Sequence, residues 1–228
     1  MAYLGAFYRT YAMDFWGFGE SGKKRETYAV SDFVSLVDQF MEQLGIIHAP
    51  LVGHSMGGTV SLSVAIRYPE RVSKVVVVGS PIVGSSLAPL LKLAGYRPIA
   101  FMLFNMMGVF RAGMRLYSPF ICRDPRFPDM MDRDLSRTTL ESFLRSISSL
   151  RRTDLSPILS QVKVPVLGLY GDKDVIVNPL QWQPLQKGCP QAAIERFPMA
   201  GHFPMFEEPT EFGQKLKAFL DKEIPVPQ

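Results

Sequence analysis

The segment KVVVVGS, residues 74 to 80, constrains this chain more than any other seven residues. Four consecutive valines cannot alternate between a buried and a solvated face. The strand they favour is therefore covered on both sides, as in a parallel sheet sandwiched between helices. What precedes it agrees: APLVGH at 49–54 reads as a second short strand, and SMGGTVSLSVAIRYPERV as the helical stretch between the two. Strand, helix and strand in this order imply parallel pairing.

The same signal returns late in the chain. VPVLGLYG at 164–171 and AAIERFP at 192–198 read as two more parallel strands, and Phe212, Leu216, Phe219 and Leu220 mark an amphipathic final helix. Between Ser85 and Asp154 the pattern is helical only. One segment near 99–117 is apolar almost all round, and another at 137–152 places Leu140, Phe143, Leu144, Ile147 and Leu150 on one face. The expected fold is α/β: one domain over 1–228, with a mostly parallel sheet flanked by helices (core 1–82 and 157–228) and a helical insertion at 83–156.

Near the front, YRTYAMDF at 8–15 is expected as a strand running into GFGESGKK, and a helix is expected after Ser31 as N-cap, with Phe33, Val34, Leu36, Val37, Phe40, Met41 and Leu44 on one stripe. Gly17, Gly19 and Gly22 satisfy the dinucleotide pattern G-x-G-x-x-G. Phosphate, however, needs backbone N–H groups delivered directly onto a helix N-terminus. Here the helix comes late, the acid about twenty residues on is Glu42 inside that helix, and Lys24 stands where a phosphate loop needs a hydroxyl. A glycine turn is the better reading.

Composition excludes little else. The 228 residues are 47% hydrophobic and 20% charged, ordinary for a chain with a substantial core. The net charge of +4 is spread over scattered lysines and arginines, so no nucleic-acid partner is expected. Cys122 and Cys189 have neither metal-ligand spacing nor a disulfide framework. No metal or cofactor is expected, and a reducing cytoplasmic location fits. The first residues lack the pattern of a secretion signal, and the longest apolar run, 98–110, is too short to span a bilayer.

Chemistry concentrates where the first strand meets its helix. Gly53-His54-Ser55-Met56-Gly57 reads G-x-S-x-G at a sharp strand-to-helix turn, which forces the serine into strained dihedrals and projects it above a helix N-terminus. The dipole and the Met56 N–H would there favour an oxyanion. A serine hydroxyl needs a base. Of three histidines, His48 lies before the strand and His54 sits in the elbow itself, which leaves His202, in the loop after the last strand. That base needs an acceptor on its other nitrogen, and YGDKDVIV offers Asp172 and Asp174 just past a strand.

The segments DFWGFGESG, LVGHSMGG, KVPVLGLYGDKDVIV and AGHFPMFEEP resemble those of the α/β-hydrolases over nearly the whole chain, and the helical stretch lies where members of that family insert a cap. The resemblance implies Ser55 as nucleophile, Asp174 rather than Asp172 as the acid, His202 as base, and the Met56 N–H as one oxyanion donor. It also implies three strands before the one that ends in DFWGFGESG, with a His-Gly segment after the third carrying a second donor. No His-Gly occurs here, so the sheet is expected to be short at its N-terminal side. Loss of such a donor costs ~2.7–4 kcal/mol in a comparable protease.

The expected reaction is attack of Ser55 on an acyl carbon, an ester of a small apolar molecule being the first choice. Carbon–carbon bond hydrolysis, perhydrolysis and acyl transfer use the same triad, and a non-catalytic chain is the alternative raised by the missing donor. Phe101, Met102 and Met106 from the insertion, with His54 and Phe203 beside the triad, are the candidate substrate contacts. Oligomeric state is left open by the sequence.

Overall fold

The computed structural model describes residues 2–23, 27–89, 96, 98 and 107–223. Its centre is one sheet of β1 (Ala49–His54), β2 (Val72–Val78), β3 (Val166–Gly171) and β4 (Ala193–Phe197), in the order β1-β2-β3-β4 with every neighbouring pair parallel. Around it, in chain order, lie α1 (Ala2–Gly5), α2 (Val30–Gln43), α3 (Met56–Arg67), α4 (Met107–Ile121), α5 (Phe127–Ser136), α6 (Leu140–Arg152), α7 (Trp182–Gly188), α8 (Pro204–Glu207) and α9 (Pro209–Asp221).

The valines do what their run requires. Val75 and Val77 are fully buried on one face, in a core with Phe33 and Val34 of α2 and Val60 and Val64 of α3. Val76 and Val78 point to the other face and pack with Phe212, Leu216 and Phe219 of α9. Period-two alternation thus assigns each valine to one of two apolar layers, and each contributes about 1.5–3 kcal/mol by its burial. β1 is an edge strand, where a proline is tolerated. Pro50 lacks the N–H that a ladder uses, and the β1–β2 register shifts between Ala49 and Leu51.

Two expectations at the front of the chain are corrected. YRTYAMDF forms no strand: Arg9–Phe15 has no ladder partner among the described residues. Its aromatics are spent on α2 instead, Phe15 stacking on Phe33 at 4.5 Å and Tyr11 meeting Phe40 edge-on at 6.1 Å. The N-cap of α2 is Ala29, not Ser31. Asp32 supplies the missing acceptor, taking the Ala29 N–H at 2.7 Å and the Thr27 hydroxyl at 2.6 Å, so the helix starts earlier than a serine cap implies, at Val30. The buried stripe of α2 is Val30, Phe33, Val34, Val37 and Met41, while Leu44 lies exposed beyond the helix end.

The glycine-rich stretch is a closed turn. The Gly17 N–H donates to the Gly22 carbonyl at 2.9 Å, and Asp14 accepts the Glu20 N–H at 2.9 Å. No helix follows directly: α2 begins only at Val30. The Ser142 hydroxyl of α6 donates to the Gly17 carbonyl at 2.9 Å, so the turn anchors the helical segment to the sheet layer.

Of the apolar segment expected near 99–117, residues 99–106 lie outside the described residues and the rest falls in the helix Met107–Ile121; the expected helix at 137–152 begins at Leu140 with Thr139 accepting the Ser142 N–H. Phe101, Met102 and Met106 lie outside the described residues. No helix among the described residues is long and apolar enough to cross a membrane.

One buried charge stabilises the far side of the sheet. Lys74, only 5% exposed, donates from Nζ to the carbonyls of Phe219 (3.2 Å), Leu220 (2.5 Å) and Lys222. A helix ends with carbonyls that have no partner inside it, and an ammonium there also opposes the negative end of the dipole. Burial pushes the Lys74 ammonium below its ordinary pKa. Lys74→Met strips three carbonyls of their donor. It is expected to lower stability by about 1–3 kcal/mol, read as a lower urea midpoint with α9 exchanging its amide protons first.

Candidate active site

All four strands run the same way, so their carboxyl ends and the loops that follow share one edge of the sheet. Onto that edge the chain places His54 at the end of β1 and Ser55 just past it, Gly79 after β2, Asp174 after β3 and His202 after β4.

Ser55 occupies φ 51°, ψ −122°, and is the only non-glycine residue with positive φ among the described residues. Such a conformation costs of order 1–3 kcal/mol and persists only where its surroundings impose it. They do so here. The Ser55 N–H donates to the Val78 carbonyl at 2.8 Å, and the Ser55 carbonyl accepts the Gly58 N–H at 3.0 Å as α3 begins. A Cβ on Gly53 would stand 2.2 Å from the Gly57 backbone, so strand and helix approach too closely for any side chain at that position. Met56 opens α3, and its N–H is one of those with no acceptor inside the helix.

Asp174 and His202 form a buried pair, with side chains 3% and 4% exposed. The His202 Nδ1–H donates to Asp174 Oδ2 at 2.7 Å, and Asp174 Oδ1 accepts the N–H groups of Ile176 at 2.8 Å and Val177 at 2.9 Å. Both carboxylate oxygens are therefore partnered, which a buried charge requires. With its proton held on Nδ1, neutral His202 carries its lone pair on Nε2. Asp172, the other acid of that loop, turns outward and takes a two-pronged contact from Arg196 at 2.8 and 2.9 Å. Gly79, at φ 54°, clears the space for the pair: a Cβ there would be 3.2 Å from His202 Nδ1 and 3.4 Å from Asp174 Oδ2.

His54 is not a free wall of the site. Its Nε2–H donates to the His202 carbonyl at 2.8 Å, and its ring lies 4.6 Å from that of His202 and 4.7 Å from that of Phe203. Phe203 in turn meets Phe127 of α5 at 4.7 Å and Phe206 at 6.1 Å, so it joins the helical segment to the loop carrying His202. Of the five candidate contacts, these two are the ones described, and both stand beside the pair.

Glu207 was not singled out by the sequence. Its nearly buried carboxylate accepts the Gly201 N–H at 2.6 Å through one oxygen, and the Arg123 N–H and Nε–H at 3.3 Å through the other. Its signal is faint: a carboxylate five residues past a loop histidine, in a chain rich in surface acids. No group of three or more His, Cys, Asp or Glu among the described residues is placed to hold a metal.

Burial, then the nearby His202, push the His54 imidazole down to about 3 from the ordinary 6.5. The folded chain thus keeps His54 neutral while the unfolded chain protonates it near 6.5, so unfolding takes up a proton between those values. Stability falls as pH drops through that window, by up to about 1.4 kcal/mol per pH unit. His54→Gln removes this contribution. The melting temperature of the variant is expected to decline less than that of the native chain between pH 6 and pH 4, measured by calorimetry.

The model of the family described as "Serine aminopeptidase, S33" matches residues 5–209. A 2-hydroxy-6-oxononadienedioate/2-hydroxy-6-oxononatrienedioate hydrolase from Paraburkholderia phymatum is 31% identical, over 96% of this chain and 78% of its own length. A 3-oxoadipate enol-lactonase 2 from Acinetobacter baylyi is 25% identical, over 97% of this chain and 82% of its own. Among solved structures, a meta-cleavage product hydrolase superposes with a TM-score of 0.79 at 22% identity, covering 97% of this chain and 83% of that one. With a parallel sheet flanked by helices, a serine elbow at its carboxyl edge and a family match across most of its length, the chain belongs to the α/β-hydrolases of the S33 family.

Proposed function

We propose that this chain is a serine hydrolase in which Ser55 is the nucleophile, His202 the general base and Asp174 the residue that orients it. The observation that carries this reading is the buried Asp174–His202 hydrogen bond of 2.7 Å, on the same sheet edge as a serine held at positive φ. As Ser55 Oγ bonds to a substrate carbonyl carbon, its proton passes to His202 Nε2, and the carbonyl π electrons move onto oxygen, facing the Met56 N–H at the start of α3. Collapse of that oxyanion breaks the bond to the leaving group, which takes the proton from His202. Water then repeats the sequence: its proton goes to His202, its oxygen to the acyl carbon, and Ser55 leaves as the alcohol.

The substrate class we favour is a small apolar ester or lactone, with the helical segment 83–156 acting as a cap that walls its pocket. The aromatic group of Phe203, Phe127 and Phe206 supports an apolar wall on that side. A second reading, hydrolysis of a carbon–carbon bond next to a carbonyl, draws on the 31% identical relative, whose name is that of an oxononadienedioate hydrolase. The two differ in the proton's destination: an alkoxide oxygen in one, a carbanion carbon in the other. The buried, unpaired Cys122 and Cys189 fit a cytoplasmic protein.

A fluorophosphonate probe is expected to label the native chain at Ser55. Ser55→Ala abolishes labelling, and His202→Ala and Asp174→Asn slow it by about 10³-fold or more. Nitrophenyl esters of increasing acyl length give turnover that depends on chain length, and a hydroxy-oxo-dienedioate tests the second reading by loss of its absorbance. Absence of labelling and of turnover in folded protein overturns the hydrolase reading in favour of a non-catalytic member of the fold.

A further inference from the structure

The loop carrying His202 is tied to its surroundings by several hydrogen bonds, among them those from Arg123 to the Met199 carbonyl and from His202 Nδ1 to Asp174. The Lys173 N–H donates to the Ala200 carbonyl at 3.0 Å, and Glu207 takes the Gly201 N–H at 2.6 Å. A further tie is the 2.8 Å bond from His54 Nε2–H to the carbonyl of His202 itself. The donor belongs to the residue immediately before Ser55, at the end of β1, where His54 is in register with Val78. One side chain therefore spans 148 positions to link the elbow with the residue proposed as its base.

We propose that His54 is a positioning residue: its bond to the His202 carbonyl fixes the distance between the His202 ring and the Ser55 hydroxyl. This rests on the reading of Ser55 and His202 as nucleophile and base. A carbonyl can only accept, so His54 carries a proton on Nε2, which the neutral ring and the imidazolium both allow. Neutrality matters here. The two rings are 4.6 Å apart, and a cation at His54 would oppose the imidazolium that forms on His202 as Ser55 attacks. Burial, which pushes His54 far below its ordinary range, keeps that cation from forming. A lysine or arginine would supply the donor but carry the charge, whereas a histidine in this setting supplies the donor alone.

Glutamine and asparagine separate this role from plain packing, because the amide nitrogen of glutamine reaches about as far as histidine Nε2 and that of asparagine only as far as Nδ1. In the full chain, His54→Phe and His54→Asn are expected to lower kcat for a nitrophenyl ester by roughly tenfold to a hundredfold with KM changed little, as misplacement of a reacting group does. His54→Gln is expected to recover most of that loss. A change confined to KM, or a glutamine variant as slow as the asparagine one, overturns the proposal. Where His54→Phe fails to fold, the Gln and Asn pair decides.

A second readout does not depend on activity. The proton shared by His202 Nδ1 and Asp174 is expected as a slowly exchanging low-field resonance in the native chain and in His54→Gln, and as an exchange-broadened one in His54→Asn. An unaltered resonance in His54→Asn sinks the positioning role. If the native chain neither labels nor turns over ester, it is the serine hydrolase reading that fails, and this resonance still decides whether His54 holds the loop.

Discussion

The hydrogen bond from the Ser55 N–H to the Val78 carbonyl carries the β1–β2 ladder one residue past the end of the strand. The geometry of the site depends on that bond. It keeps Ser55 in line with the sheet while φ turns positive, so α3 leaves the strand at once rather than after a loop. The strand that offers this carbonyl, β2, is buried on both faces. The four valines and the strained serine are thus parts of one arrangement, in which apolar burial on the scale of several kcal/mol outweighs a local backbone cost of order 1–3 kcal/mol.

Three buried charged side chains, Asp174, Lys74 and Glu207, each meet several hydrogen-bond partners. Asp174 uses one oxygen for two backbone N–H groups and the other for His202. Lys74 on the opposite side of the molecule meets three helix-end carbonyls, and Glu207 meets a backbone N–H and Arg123. These groups act as pins between segments far apart in sequence. A burial-driven core leaves the relative placement of loops loose, and hydrogen bonds to named carbonyls and amides remove that freedom.

Much of this was legible in the residues. The parallel sheet was readable from the valine run and the strand–helix–strand order, because burial on both faces and side-chain period are local properties. Asp174, Ser55 and His202 follow strands for the same reason, and the pairing of Asp174 rather than Asp172 with His202 agrees with what the family resemblance implies. The failures were of another kind. YRTYAMDF has the composition of a strand, but a strand exists only with a partner, and its aromatics pack on α2 instead. Ala29 caps α2 because Asp32 reaches back to it, a contact that residue preferences for Ser31 conceal. The Glu207–Arg123 contact and the bond from His54 to the His202 carbonyl join residues more than eighty positions apart and leave no periodic trace.

The 148-residue span between His54 and the carbonyl it holds also orders events in time. At about 5–20 residues per second a ribosome needs roughly 7–30 s to pass from one to the other. Throughout that interval the emerging chain carries the elbow without the carbonyl that His54 holds. The contact therefore forms only after all four strands of the sheet have been made, so the elbow is the first part of this edge to emerge and the last to be tied down.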